Sequence, residues 1–261
     1  MVGTMVSSGH AAPAFVRLAT HPVRWRLLTE LAASDYRVRE LVDRVGQPQN
    51  LVSYHLRVLR GGGLVTAHRS SFDARDSYYH LDLESCAHAL AAAGAALHPA
   101  LRLGPPTPPP ADRLNRPRVL FACTGNSARS PIAEVLLRHR AGGQVDVASA
   151  GSHPKQRLLP DAVQVLREHY GIDIAGRRPQ DLNAMAGRGF DYVISLCDKV
   201  REVCLEFGDQ PRLIHWSIPD PAADPGEAGY LAVSRTAAEI DTRIRYLIPV
   251  LAHDTYPEVQ P

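Results

Sequence analysis

Residues 123–130 read CTGNSARS, between the apolar run RPRVLFAC and the helical pattern SPIAEVLLRHRA. An apolar run, a short glycine-bearing turn and a helix start make a strand, a loop and a helix N-terminus. Ser130 is placed to cap that helix and Pro131 to take its first position. Backbone N–H groups in such a turn point inward, a nest for a tetrahedral anion. Arg129, at the helix head, can meet two oxyanion oxygens at once. Cys123 stands at the other end of the loop, where the helix dipole and Arg129 favour the thiolate, the form that attacks. Ser130 can donate to that sulfur. The oxyanion-binding loop is therefore Thr124, Gly125, Asn126, Ser127, Ala128, Arg129 and Ser130. Cysteine, five residues and arginine recur by chance in many chains. With the strand, the turn, Ser130 and Pro131 around them, a buried structural thiol is the poorer reading.

Strands and helices alternate from there onward. QVDVASAG, FDYVISLC and PRLIHW read as strands, LPDAVQVLREHYG and KVREVCLEF as helices, and a long last helix runs from about Glu227 to Ala252. The order predicts an α/β domain whose four-stranded parallel sheet is flanked by helices. Such sheets bind ligands at the carboxyl ends of their strands. Cys123, Cys197 and Trp216 all fall at such ends.

Upstream, residues 98–118 hold six prolines between Pro99 and Pro110, a stiff spacer rather than a helix or central strand. The domains are then a tail at 1–13, a first domain at 14–98, a linker at 99–116 and a second domain at 117–255. In the first domain, FVRLATHPVRWRLLTELA, VRELVDRVG and QPQNLVSYHLRVLRGGG have helical spacing. LVTAHRS and SYYHLDL then form a hairpin around SFDAR, and ESCAHALAAAGAAL is a closing helix. This is the order of a winged helix-turn-helix. Residues 1–115 carry 12 arginines against nine acidic residues, net +3, leaving −1 for the rest of a chain of net +2. The bias is mild but compatible with nucleic acid binding by the front half. No apolar run is long enough to span a membrane, and the first dozen residues lack the pattern of a secretion signal, so the expected location is the cytoplasm. There, four cysteines are catalytic, redox or metal-binding sooner than structural disulfides.

The front half resembles the ArsR/SmtB family of winged-helix repressors in THPVRWRLLTEL, LVDRVGQPQNLVSYHLRVLRGGGLV and SYYHL. The resemblance implies a homodimer, joined through terminal helices, that binds operator DNA. Its recognition helix is Pro48 to Leu59, with Gln49, Asn50, Ser53, Tyr54, His55 and Arg57 facing the major groove. Arg69 and Arg75 on the wing would meet phosphate. The paired cysteines of metalloid-sensing members are missing. Glu84, Cys86, His88 and His98 do not have the spacing of a closed metal site, and Cys86 is expected at the dimer interface.

The back half resembles the low-molecular-weight protein tyrosine phosphatases and the thioredoxin-coupled arsenate reductases that share their fold. The match runs through CTGNSARS, ASAGS, AVQVLREHYGIDI and HWSIPDPAAD. It implies Asp220, before Pro221, as general acid. It also implies that Cys197 and Cys204, in LCDKVREVC, follow Cys123 in a disulfide relay. Cys204 lies about two helical turns beyond Cys197, so local unwinding must bring them together. The implied partners are arsenate or a phosphorylated substrate and an external reductant, thioredoxin or a mycothiol-type system. No cofactor is required. Asn126, Glu134 and Ser149 match positions that hold an optional potassium ion in some members. The expected function is a combined transcriptional regulator and arsenate reductase. The alternatives are phosphotyrosine hydrolysis and a DNA-binding oxyanion or redox sensor.

Overall fold

A computed structural model of the chain describes residues 12–98, 101, 116–202, 211–222 and 229–255. Nearly all of the proline-rich spacer, and Cys204, lie outside the described residues.

In the front half, α1 (Ala14–Ala19), α2 (Pro22–Ala33), α3 (Val38–Val45) and α4 (Gln49–Gly61) precede β2 (Val65–Arg69), β3 (Ser77–Leu81) and α5 (Leu83–Leu97). A two-residue strand, β1 (Tyr36–Arg37), joins β3 on its other side, so the sheet order is β1-β3-β2. Two residues carry no readable periodicity, and the sequence did not announce this strand. Gly46 ends α3 with φ 63°, a left-handed conformation that side chains disfavour. Leu27, Leu41, Val52, Leu56 and Leu59 are fully buried in this domain's core. Each such side chain contributes roughly 1.5–3 kcal/mol of burial.

In the back half, β4 (Arg118–Cys123), α6 (Arg129–Arg140), β5 (Asp146–Gly151), α7 (Pro160–Tyr170), β6 (Tyr192–Ser195), α8 (Asp198–Glu202), β7 (Arg212–His215) and α9 (Gly229–Thr255) follow. The four strands are parallel in the order β5-β4-β6-β7. Period-two alternation sorts β4 between two clusters. Val119 and Phe121 join the core formed with α6, α7 and α9, while Leu120 joins Ala150, Met185, Phe190 and Val193. The sheet is thus covered on both faces, as expected. Helix α6 starts two residues earlier than the sequence suggested, with Ala128 at the N-cap. Ser130 lies inside the first turn, where its hydroxyl turns to Cys123 instead of capping. The short 3₁₀ turn Leu182–Met185 was also not foreseen.

The two halves dock through a buried polar seam. Asp35 donates its N–H to the His215 carbonyl at 2.8 Å, and its carboxylate accepts from Ser217 N–H at 2.7 Å and from Arg243 at 3.1 Å. Ser34 Oγ accepts from His215 N–H at 2.8 Å. His68 and Ser217 Oγ stand 2.6 Å apart. Asp35 is 2% and Ser217 1% exposed, so each of these groups needs its partner.

Candidate active site

Parallel register places Cys123 opposite Gly151 and Ser195 opposite His215, so the strand ends converge on one edge of the sheet. The loop that follows Cys123 curls around its sulfur. Asn126, with φ 44° in the left-handed region, donates its N–H to Cys123 Sγ at 3.2 Å. Ser130 Oγ lies 3.0 Å from the same sulfur. Asn126 Nδ2 bridges Ser130 Oγ at 2.9 Å and Ser149 Oγ at 3.0 Å, and its Oδ1 accepts from Gln180 N–H at 2.7 Å. The loop is therefore preorganised from three directions.

Gly151 is required by that curl. A Cβ there would stand 2.6 Å from the Thr124 carbonyl and 2.9 Å from Asn126 N, both backbone atoms that cannot swing aside. Gly151→Ala is expected to displace the loop and lower kcat/KM about 10- to 100-fold on p-nitrophenyl phosphate. Wild-type kinetics in that variant would show the loop to be more tolerant than its geometry.

Arg129 is 6% exposed and enters the site from the helix head. Its Nη1 donates to the Ile218 carbonyl at 2.9 Å, and its Nη2 pairs with Asp220 Oδ2 at 3.1 Å. Asp220 is about half exposed and also accepts from Ala222 N–H. The guanidinium, carried by the residue at the head of α6, thus fastens the loop that bears the candidate acid. Cys197, 2% exposed, lies beyond the end of β6, with its sulfur 3.3 Å from Thr124 Oγ1. Burial pushes the Cys197 thiol up, opposed by Arg129, with Cys123 adding to the rise and the Thr124 hydrogen bond lowering it.

These features are a buried thiol among hydrogen-bond donors, an arginine, a carboxyl group and a second thiol next to the loop. The model of the low molecular weight phosphotyrosine protein phosphatases matches residues 118–256, more than half of the chain. The chain belongs to this family. The model of the arsR family of bacterial regulatory proteins matches residues 21–67. Arsenate reductases of Halalkalibacterium halodurans and Bacillus subtilis are 32% and 31% identical to it. These matches cover 51% and 49% of this chain and 95% and 91% of theirs. The crystal structure of a low molecular weight protein tyrosine phosphatase from T. tengcongensis is 27% identical, covers 51% of this chain and 99% of that one, and has a TM-score of 0.45. The back half is an enzyme domain of the arsenate reductase and low-molecular-weight phosphatase class, and the front half carries the arsR-type helix-turn-helix.

Within this phosphatase-family domain, Asn126, Glu134 and Ser149 come together in one hydrogen-bond network. Ser149 Oγ donates to Glu134 at 2.7 Å. Glu134 is also bracketed by Arg177 at 2.6 Å and Arg138 at 2.8 Å. The Asn126 oxygen is spent on Gln180. Both guanidiniums sit on Glu134 Oε1 while Oε2 faces Ser149, and in this arrangement the three residues brace the loop by hydrogen bonds.

On the helix-turn-helix, Gln49, Asn50, Tyr54 and Arg57 are exposed and Ser53 is half-buried, in keeping with an open recognition face. His55 is not part of it. It is 3% exposed, packs against the ring of His21 at 4.2 Å, and lies on the core stripe Val52, Leu56, Leu59. The spacing of those residues was the signal that places it inside. Arg69 and Arg75 are exposed on the wing, and Arg69 also braces the hairpin by donating to the Ala74 carbonyl at 3.0 Å. Cys86 packs into the front domain's own core, its thiol pushed up to about 11 by burial, rather than lying open for a dimer contact. Among the described residues no group of three or more His, Cys, Asp or Glu side chains is arranged to hold a metal. No described helix is long and apolar enough to cross a membrane.

Proposed function

We propose that the chain is a combined DNA-binding regulator and thiol-dependent arsenate reductase. The observation that carries the reductase reading is Cys197, buried beside the Cys123 loop with its sulfur on Thr124. A hydrolase needs only Cys123, Arg129 and an acid; a second thiol at the loop supports electron transfer.

In this reading arsenate sits in the loop with its oxygens on the inward N–H groups and Arg129. Cys123 sulfur attacks arsenic, and Asp220 protonates the oxygen that leaves as water. Cys197 thiolate then attacks Cys123 sulfur. The new S–S bond forms, the S–As bond breaks, and its electron pair stays on arsenic, which leaves as arsenite. Cys204 attacks Cys197 and frees Cys123; a thioredoxin-like dithiol reduces the Cys197–Cys204 pair. While Cys123 is free, burial and Cys123 itself hold Cys197 as a thiol.

A pH dependence follows. Below the raised Cys197 pKa the thiolate fraction grows tenfold per pH unit. Single-turnover disulfide formation in rapid-quench samples should therefore rise with a slope near one as pH goes from 7 to 9. A flat profile would exclude Cys197 deprotonation from that step.

The front half supports DNA binding through Gln49, Asn50, Ser53, Tyr54, Arg57, Arg69 and Arg75. Dimerisation through α1 and α5 is supported by the exposed Val16, Leu90 and Leu97. The functional test is arsenate-dependent NADPH oxidation with thioredoxin and its reductase. Wild type should turn over, and Cys197→Ser and Cys204→Ser should not. Steady p-nitrophenyl phosphate hydrolysis by the double serine variant, with no arsenate-dependent NADPH oxidation by wild type, would instead assign phosphomonoester hydrolysis.

A further inference from the structure

Cys197 immediately precedes α8, and α8 is where the catalytic domain grips the wing of the helix-turn-helix domain. Asp198 is 3% exposed, and its carboxylate serves donors from both domains. Ser71, at the wing tip, donates its N–H at 2.6 Å and its hydroxyl at 3.0 Å. Ser217 Oγ donates at 2.5 Å, and His215 Nε2 lies at 3.1 Å. Burial opposes the charge, but the bonds from His215, Ser217 and Ser71 hold Asp198 well below the usual carboxylate range. Burial keeps His215 neutral, and its Nδ1 stands 2.8 Å from Ser195 Oγ. One turn on, Arg201 donates to the Asp35 carbonyl at 2.7 Å and pairs with Glu40. Glu202 pairs with Arg37 and accepts from Tyr78 Oη at 2.8 Å. Three of the five residues of α8 are thus fastened to the front domain.

Cys197 is 2% exposed with its sulfur on Thr124, so pairing it with a thiol outside the Cys123 loop requires the sulfur to leave that position. Cys197 is joined directly to Asp198, the first residue of α8, so that displacement pulls on the carboxylate that holds Ser71.

We propose that the oxidation state of Cys197 and the docking of the wing tip are linked through Asp198. Oxidation of Cys197 to a disulfide draws Asp198 from Ser71 and frees the wing tip; reduction docks it again. The proposal rests on reading Cys197 as a relay thiol. Across the relay, two thiols become one S–S bond, two protons are released, and the two electrons have passed to arsenic(V) through the Cys123 adduct. The linkage is reciprocal: whatever frees the wing also eases oxidation of Cys197. Its consequence for DNA is direct. Asp198 occupies the two Ser71 donors with a carboxylate, and these are the kind of donors that meet phosphate when a wing lies on a duplex. The redox state of the enzyme thereby sets whether the wing tip between Arg69 and Arg75 is held or free.

The test is hydrogen exchange of the full chain read by mass spectrometry, with disulfides mapped in the same digest. In wild type oxidised with one equivalent of diamide, amides of residues 70–76 should exchange about tenfold faster than in the reduced protein, the factor that one lost charge-assisted hydrogen bond represents. Dithiothreitol should restore protection, and Cys197→Ser should show no response to diamide. Unchanged wing-tip exchange in molecules mapped with a Cys197 disulfide would overturn the linkage. Substituting arsenate for diamide separates the two claims. If arsenate yields no disulfide, the reductase reading fails, and the diamide arm still decides the linkage. The reciprocal arm needs no oxidant. In reduced Asp198→Asn, and to a smaller extent in the surface variant Ser71→Ala, iodoacetamide should alkylate Cys197 several-fold faster and the wing tip should lose protection. If neither quantity moves in either variant, the linkage is wrong.

Discussion

Cys123→Ser is expected to lower arsenate reduction and p-nitrophenyl phosphate turnover together, each by at least about 1,000-fold. A serine hydroxyl at this position keeps the size and the hydrogen bonds of the site. It does not supply a sulfur nucleophile, nor any atom that can form a disulfide. The surrounding contacts from Asn126 N–H and Ser130 Oγ are compatible with an oxygen, so the variant should fold and still bind the oxyanion. Parallel loss of both reactions, with oxyanion binding retained by calorimetry, is the expected pattern. Residual reduction above a few per cent would mean that another thiol makes the first attack.

Arg129→Lys is expected to cost about 100-fold or more in kcat/KM for both reactions. The guanidinium contacts the Ile218 carbonyl and Asp220 with two different nitrogens, from a position that is almost fully buried. An ammonium cannot reproduce that fork. The substitution keeps the positive charge but removes the planar pair of donors, and it loosens the loop that carries Asp220. Steady-state kinetics on p-nitrophenyl phosphate check it. If Arg129→Lys stays within about threefold of wild type, the bidentate role assigned to this residue is wrong.

The sheet, its parallel order and the loop at Cys123 were legible because each rests on a local pattern. A buried strand reads as an apolar run, and CTGNSARS contains its own turn, arginine and helix start. Helix α4 was legible too, but its faces were not fully sorted. His55 is polar and was assigned outward, whereas its spacing from Val52 and Leu59 puts it in the core. The start of α6 shifted for a similar reason. Ser130 is a good N-cap by type, yet the loop needs its hydroxyl at the Cys123 sulfur. Gly151 was part of a recognised segment, but its necessity depends on how closely β5 approaches the loop, which only packing reveals.

What the sequence could not disclose was the seam between the domains. Ser34, Asp35, Ser71, Asp198 and Ser217 are ordinary surface types, separated by up to 183 positions. Burial and pairing give them meaning, and both arise only when the halves dock. Cys197 shows the same limit at closer range. Its place after a strand was visible, but its contact with Thr124 and its attachment through Asp198 to the wing were not.

The central claim, that Cys123 and Cys197 act in succession on arsenate, is tested most directly by trapping the bond between them. Full-length Cys204→Ser is reduced, freed of reductant and mixed with arsenate, then quenched in acid and digested for disulfide mapping. The account predicts a Cys123–Cys197 disulfide and about one equivalent of arsenite per chain, with no further turnover. A chain that stays fully reduced and releases no arsenite would contradict it.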